Sequence, residues 1–167
     1  MMNRKNNKKG IMRLAAFCMT LILILGNIYV PVSAKSKNYK FTYKKVTVSM
    51  NGSAQKLIKK AGKPIKKTEA KSCAYDGKDR VYQYKDFILY TYSKKDNGPE
   101  YINGITFLTS NVKTKEGVKI GSSLKTVKKK YGKAKDNYGL YTYKKGNSKI
   151  QIEVKDNVVT NIRYILS

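Results

Sequence analysis

The chain has no histidine and no tryptophan, only two cysteines and three prolines among 167 residues, and ten acids against 36 lysines and arginines. Each shortage narrows the chemistry. Without histidine, a serine or cysteine nucleophile lacks its usual general base, and a zinc site loses its preferred nitrogen ligand. No two of the ten carboxylates fall in a recognisable acid–base arrangement, which disfavours a hydrolase. Asp76 and Asp79 lie about a glycine turn, but no further oxygen ligands accompany them, so they read as turn formers rather than a calcium site. The sequence implies no catalytic residue, no metal and no cofactor.

The first 34 residues have the three regions of a secretory signal. Arg4, Lys5, Lys8, Lys9 and Arg13 form a basic start, Leu14 to Val30 is apolar apart from Thr20, Gly26 and Asn27, and Val32-Ser33-Ala34 is a small-residue cleavage site. Cys18 sits behind Phe17 inside the apolar run, where a lipid-modified cysteine would need small residues before it. An uncleaved anchor is the alternative, since the run is near the lower length limit for a membrane span. Pro31 and the small residues favour cleavage, with a mature chain starting at Lys35. Cys73 is then the one remaining thiol, and burial as a small apolar residue is the ordinary expectation for it.

What the chain has in excess is lysine. Its net charge is +26, and beyond the signal only Arg80 and Arg163 are arginines. So few guanidinium groups weaken any case for sequence-specific nucleic-acid reading, which leans on bidentate contacts to base edges. A diffuse lysine coat points instead to a polyanionic surface such as anionic wall polymer or lipid headgroups, or else to solubility alone. The matching basic helix faces Lys59, Lys60, Lys128, Lys129 and Lys130 are the candidate anionic-surface residues.

A repeat with an offset of 70 residues organises the remainder. Ser53, Ala54, Leu57, Ala61 and Gly62 align with Ser123, Leu124, Val127, Tyr131 and Gly132, and each set reads as a short helix with a serine cap and a glycine stop. Residues 102–108 correspond to residues 159–165, at a shorter offset. Strands are expected at Val46 to Val48, Cys73 to Tyr75, Val81 to Tyr84, Phe87 to Tyr92 and Tyr101 to Thr109, and in the second half at Gly139 to Tyr143, Lys149 to Lys155 and Val158 to Leu166. The expected fold is α+β: a tandem repeat of a short helical element packed on an antiparallel β-sheet. Its parts are a basic lead-in over 35–45, repeat unit one over 46–110 and repeat unit two over 111–167, together forming one compact domain.

Alternation assigns faces. Ile150, Ile152 and Val154 face the core while Gln151, Glu153 and Lys155 face water. The related strand of the first half puts Phe87, Leu89 and Thr91 inward, which leaves Ile88, Tyr90 and Tyr92 on a face that should be solvated. An apolar and aromatic row there is a partner-binding signal. Tyr82 and Tyr84 correspond to Tyr141 and Tyr143, and a tyrosine held in both halves reads first as sheet packing.

The segment from Gly117 to Lys133, Gly-Val-Lys-Ile-Gly-Ser-Ser-Leu-Lys-Thr-Val-Lys-Lys-Lys-Tyr-Gly-Lys, resembles the opening of the β-lactamase-inhibitor-protein-like (BLIP-like) and small outer-membrane lipoprotein (SmpA/OmlA-like) domains. Gly52 to Pro64 is a weaker copy. The chain also resembles exported proteins of Gram-positive Firmicutes that carry a stretch like Cys73 to Gly77 and a Tyr-Ile-x-x-Ile run like Tyr101 to Ile105. The resemblance implies a helix packed on an antiparallel sheet, no catalytic chemistry, and protein binding through an aromatic sheet surface, with Tyr82, Tyr84, Tyr90 and Tyr92 as the places to carry that over. The lysine excess and the missing tryptophan depart from the inhibitor pattern.

Two functions are therefore expected. One is a secreted, cell-envelope binding module that takes an unidentified protein partner through Ile88, Tyr90, Tyr92, Tyr82 and Tyr84. The alternative is a basic protein held to anionic wall polymer or lipid headgroups by its lysines. Amino-terminal sequencing of the protein recovered outside the producing cell should begin at Lys35; recovery of the intact leader would contradict cleavage.

Overall fold

The computed structural model describes residues 37–167. The signal read over residues 1–34, with Cys18 and its cleavage site, lies outside the described residues. The lead-in enters as a hairpin of β1 (Lys40–Tyr43) and β2 (Val46–Ser49), in which Phe41 pairs with Val48. Lys44 and Lys45 make the turn at positive φ. Helix α1 (Gln55–Ala61) follows, then β3 (Lys66–Lys71), β4 (Lys78–Gln83), β5 (Phe87–Ser93) and β6 (Glu100–Phe107). Helix α2 (Leu124–Tyr131) precedes β7 (Asp136–Asn137), β8 (Leu140–Lys145), β9 (Ser148–Lys155) and β10 (Val158–Leu166). Strands β3 to β10 form one eight-stranded antiparallel sheet in the order β3-β4-β5-β6-β10-β9-β8-β7. Among the described residues no helix is long and apolar enough to cross a membrane.

This architecture corrects the expected fold class. Antiparallel strand is the main structure of the described residues, eight of the ten strands joining in one continuous sheet, and the two helices described are only 7 and 8 residues long. Helices this short are marginal by themselves and are held by packing, Leu57 and Val127 being the residue each buries. Neither is the organising layer that a tandem helix-on-sheet repeat requires. Details shift as well. Ser123 caps α2 by accepting the Thr126 N–H at 3.2 Å, but α1 begins at Ala54 without a side-chain cap. The strand expected at Cys73 to Tyr75 is a loop, and the sheet edge is instead the polar segment Lys66–Lys71, exposed along its whole length. A period-2 apolar search passes over such a strand, since its stabilisation is the hydrogen-bond ladder to β4 rather than side-chain burial.

One face of the sheet is covered. Tyr82, Tyr84, Phe87, Leu89, Ile102, Ile105, Phe107, Ile150, Ile152, Ile162 and Tyr164 meet Tyr39, Phe41, Met50, Leu57 and Val127 of the hairpin and helices in a single buried cluster. Two bulges make this face continuous. Tyr90 pairs with Gly104 but Thr91 pairs with Ile102, so Asn103 is an extra residue in β6; Val159 pairs with Val154 but Asn161 with Glu153, so Thr160 is extra in β10. Residues three apart face opposite sides of a regular strand. With the extra residue, Ile102 and Ile105 both point into the core, as do Val159 and Ile162.

Phe41 lies where the hairpin locks onto the sheet, fully buried with ring centroids 5.3 Å from Phe87, 5.6 Å from Phe107 and 6.3 Å from Tyr164. Truncation there leaves a cavity that the three rings of the facing sheet cannot close. Phe41→Ala should cost about 3–5 kcal/mol in urea unfolding, whereas the exposed neighbour Thr42→Ala should cost well under about 1 kcal/mol. Equal effects of the two substitutions would show that the hairpin does not seal the core.

Candidate partner-binding face

The other face of the sheet has no described element over it, and most of its residues are half-exposed or exposed. Register fixes their layout. One row across the strands reads Lys66, Gln83, Ile88, Thr106, Arg163, Gln151, Thr142. The next reads Thr68, Val81, Tyr90, Gly104, Ile165, Lys149, Lys144. A third, shorter row carries Ala70, Asp79, Tyr92 and Tyr101. The apolar centre of this face is therefore Val81, Ile88, Tyr90 and Ile165, and the Tyr90 ring lies over Gly104. A Cβ on that glycine would stand at ordinary contact distance, 3.6 Å, from the Tyr90 ring but only 2.9 Å from the Tyr164 carbonyl oxygen, so it is the close approach of β10 that requires the bare backbone.

Of the five aromatic and aliphatic residues read as partner contacts, Ile88 and Tyr90 are on this face and half-exposed. Tyr82 and Tyr84 are corrected to the covered face. Val81 and Gln83 point outward, so alternation sends both tyrosines into the core, where Tyr82 donates to Glu100 at 2.9 Å. Tyr141 and Tyr143 are buried in the same way. Tyr92 has the expected orientation but is only 7% exposed. Its ring is stacked on Tyr75 at 5.1 Å and packed against Tyr101 at 5.6 Å, and its hydroxyl donates to Asn51 Oδ1 at 2.6 Å. The face gains two rings in exchange. Tyr75, 42% exposed, projects from the loop after β3, and Tyr101 is turned outward by the Asn103 bulge. The apolar pair Ile102 and Ile105, spaced by three inside a strand, is the sequence signal that exposes Tyr101; nothing local marks Tyr75.

The five lysines read as an anionic surface, Lys59, Lys60, Lys128, Lys129 and Lys130, are all exposed in the last turns of α1 and α2. There they complement the negative helix ends. The wider charge pattern is lopsided because cations far outnumber acids and six of the ten acids are engaged internally. Glu69 binds Lys78 at 3.0 Å and Arg80 at 3.3 Å, Asp86 accepts from Thr109 and Asn111, Glu100 from Tyr82 and Thr91, Glu116 from Tyr131, Asp136 from Gly139 N–H and Tyr141, and Glu153 from Asn161 and Arg163. The hydrogen bond from Lys78 holds the Glu69 carboxyl below its usual range, and that from Asn111 does the same for Asp86. Ion pairs among the described residues use only Lys67, Lys78, Arg80 and Arg163. The other described lysines form no ion pair with a described acid.

Elsewhere the chemistry is sparse. A cleft of about 480 Å³ beside α1 is lined by Ile58, Lys59, Tyr82, Pro99 and Glu100, and its carboxylate is already committed to internal donors. No three acidic or cysteine side chains among the described residues come close enough to hold a metal ion. Cys73, expected to be buried, is exposed in the loop after β3, because the segment that contains it is not a strand. The chain matches no protein-family model, no curated protein and no solved structure. The functional reading therefore rests on this geometry alone.

Burial gives the tyrosines a shared pH signature. It pushes the Tyr39 phenol up to about 12 and raises Tyr82, Tyr84, Tyr92 and Tyr143 as well, Tyr82 further through its bond to Glu100. A phenol that ionises less readily in the folded state stabilises the fold fully below its unfolded value near 10, and that contribution is lost as pH rises through the folded value. Phenolate absorbance at pH 11 should accordingly be lower for the native protein than for the same chain in concentrated urea, and unfolding should become easier between pH 10 and 12. Coincident titrations in the two states would contradict the burial of these rings.

Proposed function

We propose that the chain is an exported, non-catalytic binding module of the cell envelope or exterior, and that it engages a protein partner through the open sheet face around Ile88 and Tyr90. The observation that carries this reading is an uncovered aliphatic and aromatic strip at the centre of a sheet whose opposite face is fully packed. An apolar patch that the fold does not need to expose is a contact surface more often than an accident. Tyrosine suits it, since it gives large contact area with a polar tip and few rotatable bonds. Tyr75 and Tyr101 extend the strip, and Tyr92 acts beneath them as the layer that fixes their position.

A second reading is supported by the charge pattern: the lysines left without acids hold the protein to an anionic wall polymer or lipid headgroups. Lys59, Lys60, Lys128, Lys129 and Lys130 are its contact residues. The two readings are compatible, with charge placing the protein and the sheet face choosing its ligand.

Binding of purified protein to the producing cell's envelope fraction separates them. Ile88→Ser with Tyr90→Ser should abolish a salt-resistant component and leave the unfolding midpoint unchanged. Lys128→Glu, Lys129→Glu and Lys130→Glu together should remove a component that salt also elutes, because screening shortens the reach of exposed charge to about 8 Å at physiological ionic strength. Retention of all binding by the Ile88/Tyr90 variant would remove the first reading.

A further inference from the structure

We propose that the occupant of the open sheet face is an acidic protein surface, one that seats an aliphatic or aromatic side chain on Tyr90 and Ile165 and sets carboxylates against Lys149, Lys144 and Arg163. The proposal rests on the protein-binding reading above and adds the chemistry of the partner.

Three observations select that chemistry. The Tyr90 row does not end in neutral residues: it passes over Gly104 and Ile165 and terminates in Lys149 and Lys144, which face each other directly across β9 and β8. Like charges in directly opposed positions destabilise a sheet. No acid pairs with either lysine among the described residues, whereas elsewhere on the protein Glu69 gathers three cations. The sheet thus carries an unfavourable pair that a ligand carboxylate would convert into a favourable contact. At a strand spacing of about 4.8 Å, Lys149 lies one strand from Ile165, close enough for one short partner segment to fill both positions.

Arg163 supplies the second observation. It is one of two arginines beyond the signal and stands in the middle of the Ile88 row, on the open face. Glu153 takes a single bond from its Nη2 at 3.0 Å, and although its Nε is buried, its side chain as a whole remains 42% exposed. The planar guanidinium therefore keeps capacity for a second, incoming carboxylate. Third, the row that holds Arg163 begins with the exposed Lys66, so cations border the apolar centre on both sides. Against them the face offers Asp79 and the already engaged Glu153. A basic partner would meet uncompensated repulsion; an acidic one is attracted from every direction across the sheet.

Random copolymers of defined composition test this with the full chain: poly(Glu,Tyr), poly(Glu) of equal length, and poly(Lys,Tyr), measured at physiological salt. Poly(Glu,Tyr) should bind roughly tenfold or more tighter than poly(Glu). Ile88→Ser with Tyr90→Ser, or Tyr90→Gln alone should the pair unfold, should erase that excess and leave poly(Glu) binding unchanged. Lys144→Gln with Lys149→Gln should weaken poly(Glu,Tyr) several-fold more than Lys129→Gln with Lys130→Gln, which removes the same charge from the end of α2. Equal weakening by the two lysine pairs would overturn the proposal, since charge would then act without regard to place. Binding of poly(Lys,Tyr) that depends on Tyr90 would also overturn it and spare the protein-binding face. If no copolymer depends on Ile88 or Tyr90, both fall together.

Discussion

One extra residue in each of the two central strands decides which side chains this protein shows. Asn103 in β6 and Thr160 in β10 sit at the middle of the sheet, where each shifts the phase of alternation by one. Ahead of the Asn103 bulge Ile102 faces the core, and after it Ile105 and Phe107 do; a regular strand would have sent Ile102 to the solvent and Tyr101 inward. The consequence reaches both faces together. The covered side gains an unbroken apolar surface for the β1–β2 hairpin and the helices, and the open side gains Tyr101 beside Tyr92 and Tyr75. A bulge also bends and twists its strand, so the same two residues shape the surface on which any partner must fit.

The clearest periodic signals in the chain were legible as sequence. Alternation in Phe87 to Thr91 and Ile150 to Val154 set the inward residues correctly, with Phe87, Leu89, Ile150 and Ile152 fully buried. The glycine stops Gly62 and Gly132 take positive φ values of 82° and 85°, a region that costs glycine little and other residues much. What escaped was non-local. Lys66–Lys71 becomes a strand because β4 offers it a ladder, while its own composition argues for a loop. Counting helices and strands alike as repeat signals gave the helices too much weight, since a 7-residue helix with one buried side chain cannot set an architecture. For the candidate site, Ile88 and Tyr90 follow from alternation alone. Tyr82 and Tyr84 fell on the wrong side because a resemblance placed them there against the phase of their own strand, and the cover over Tyr92 depends on Tyr75, seventeen positions earlier in a loop with no periodic pattern.

Charge and packing are linked through the tyrosines. Carboxylates serve as acceptors for several of the core phenols: Glu100 for Tyr82, Glu116 for Tyr131, Asp136 for Tyr141. A buried hydroxyl without a partner costs about 1–3 kcal/mol, so the positions of three of the ten acids are tied to the tyrosines they accept from. The lysines are then left to the surface, the sheet edge and the hairpin tips. On β3 they do useful structural service, since a lysine-lined edge resists pairing with another sheet. On the open face they have no such duty, and there the imbalance becomes a preference about partners.

The division between an apolar centre and a cationic border also divides the kinetics of recognition from its persistence. Exposed lysines act over about a Debye length and raise the rate of encounter with an acidic surface, but each is worth little once salt is present. In the proposed complex Tyr90, beside Gly104, and Ile88 contribute through area removed from water, which salt does not weaken and which governs how long a complex lasts. Because the covered face holds the stabilising core, residues of the open face can change with little effect on folding. Under the proposed reading, partner choice is free to vary on this scaffold by substitution at a few outward positions of β4, β5 and β10, provided the two bulges that aim them are kept.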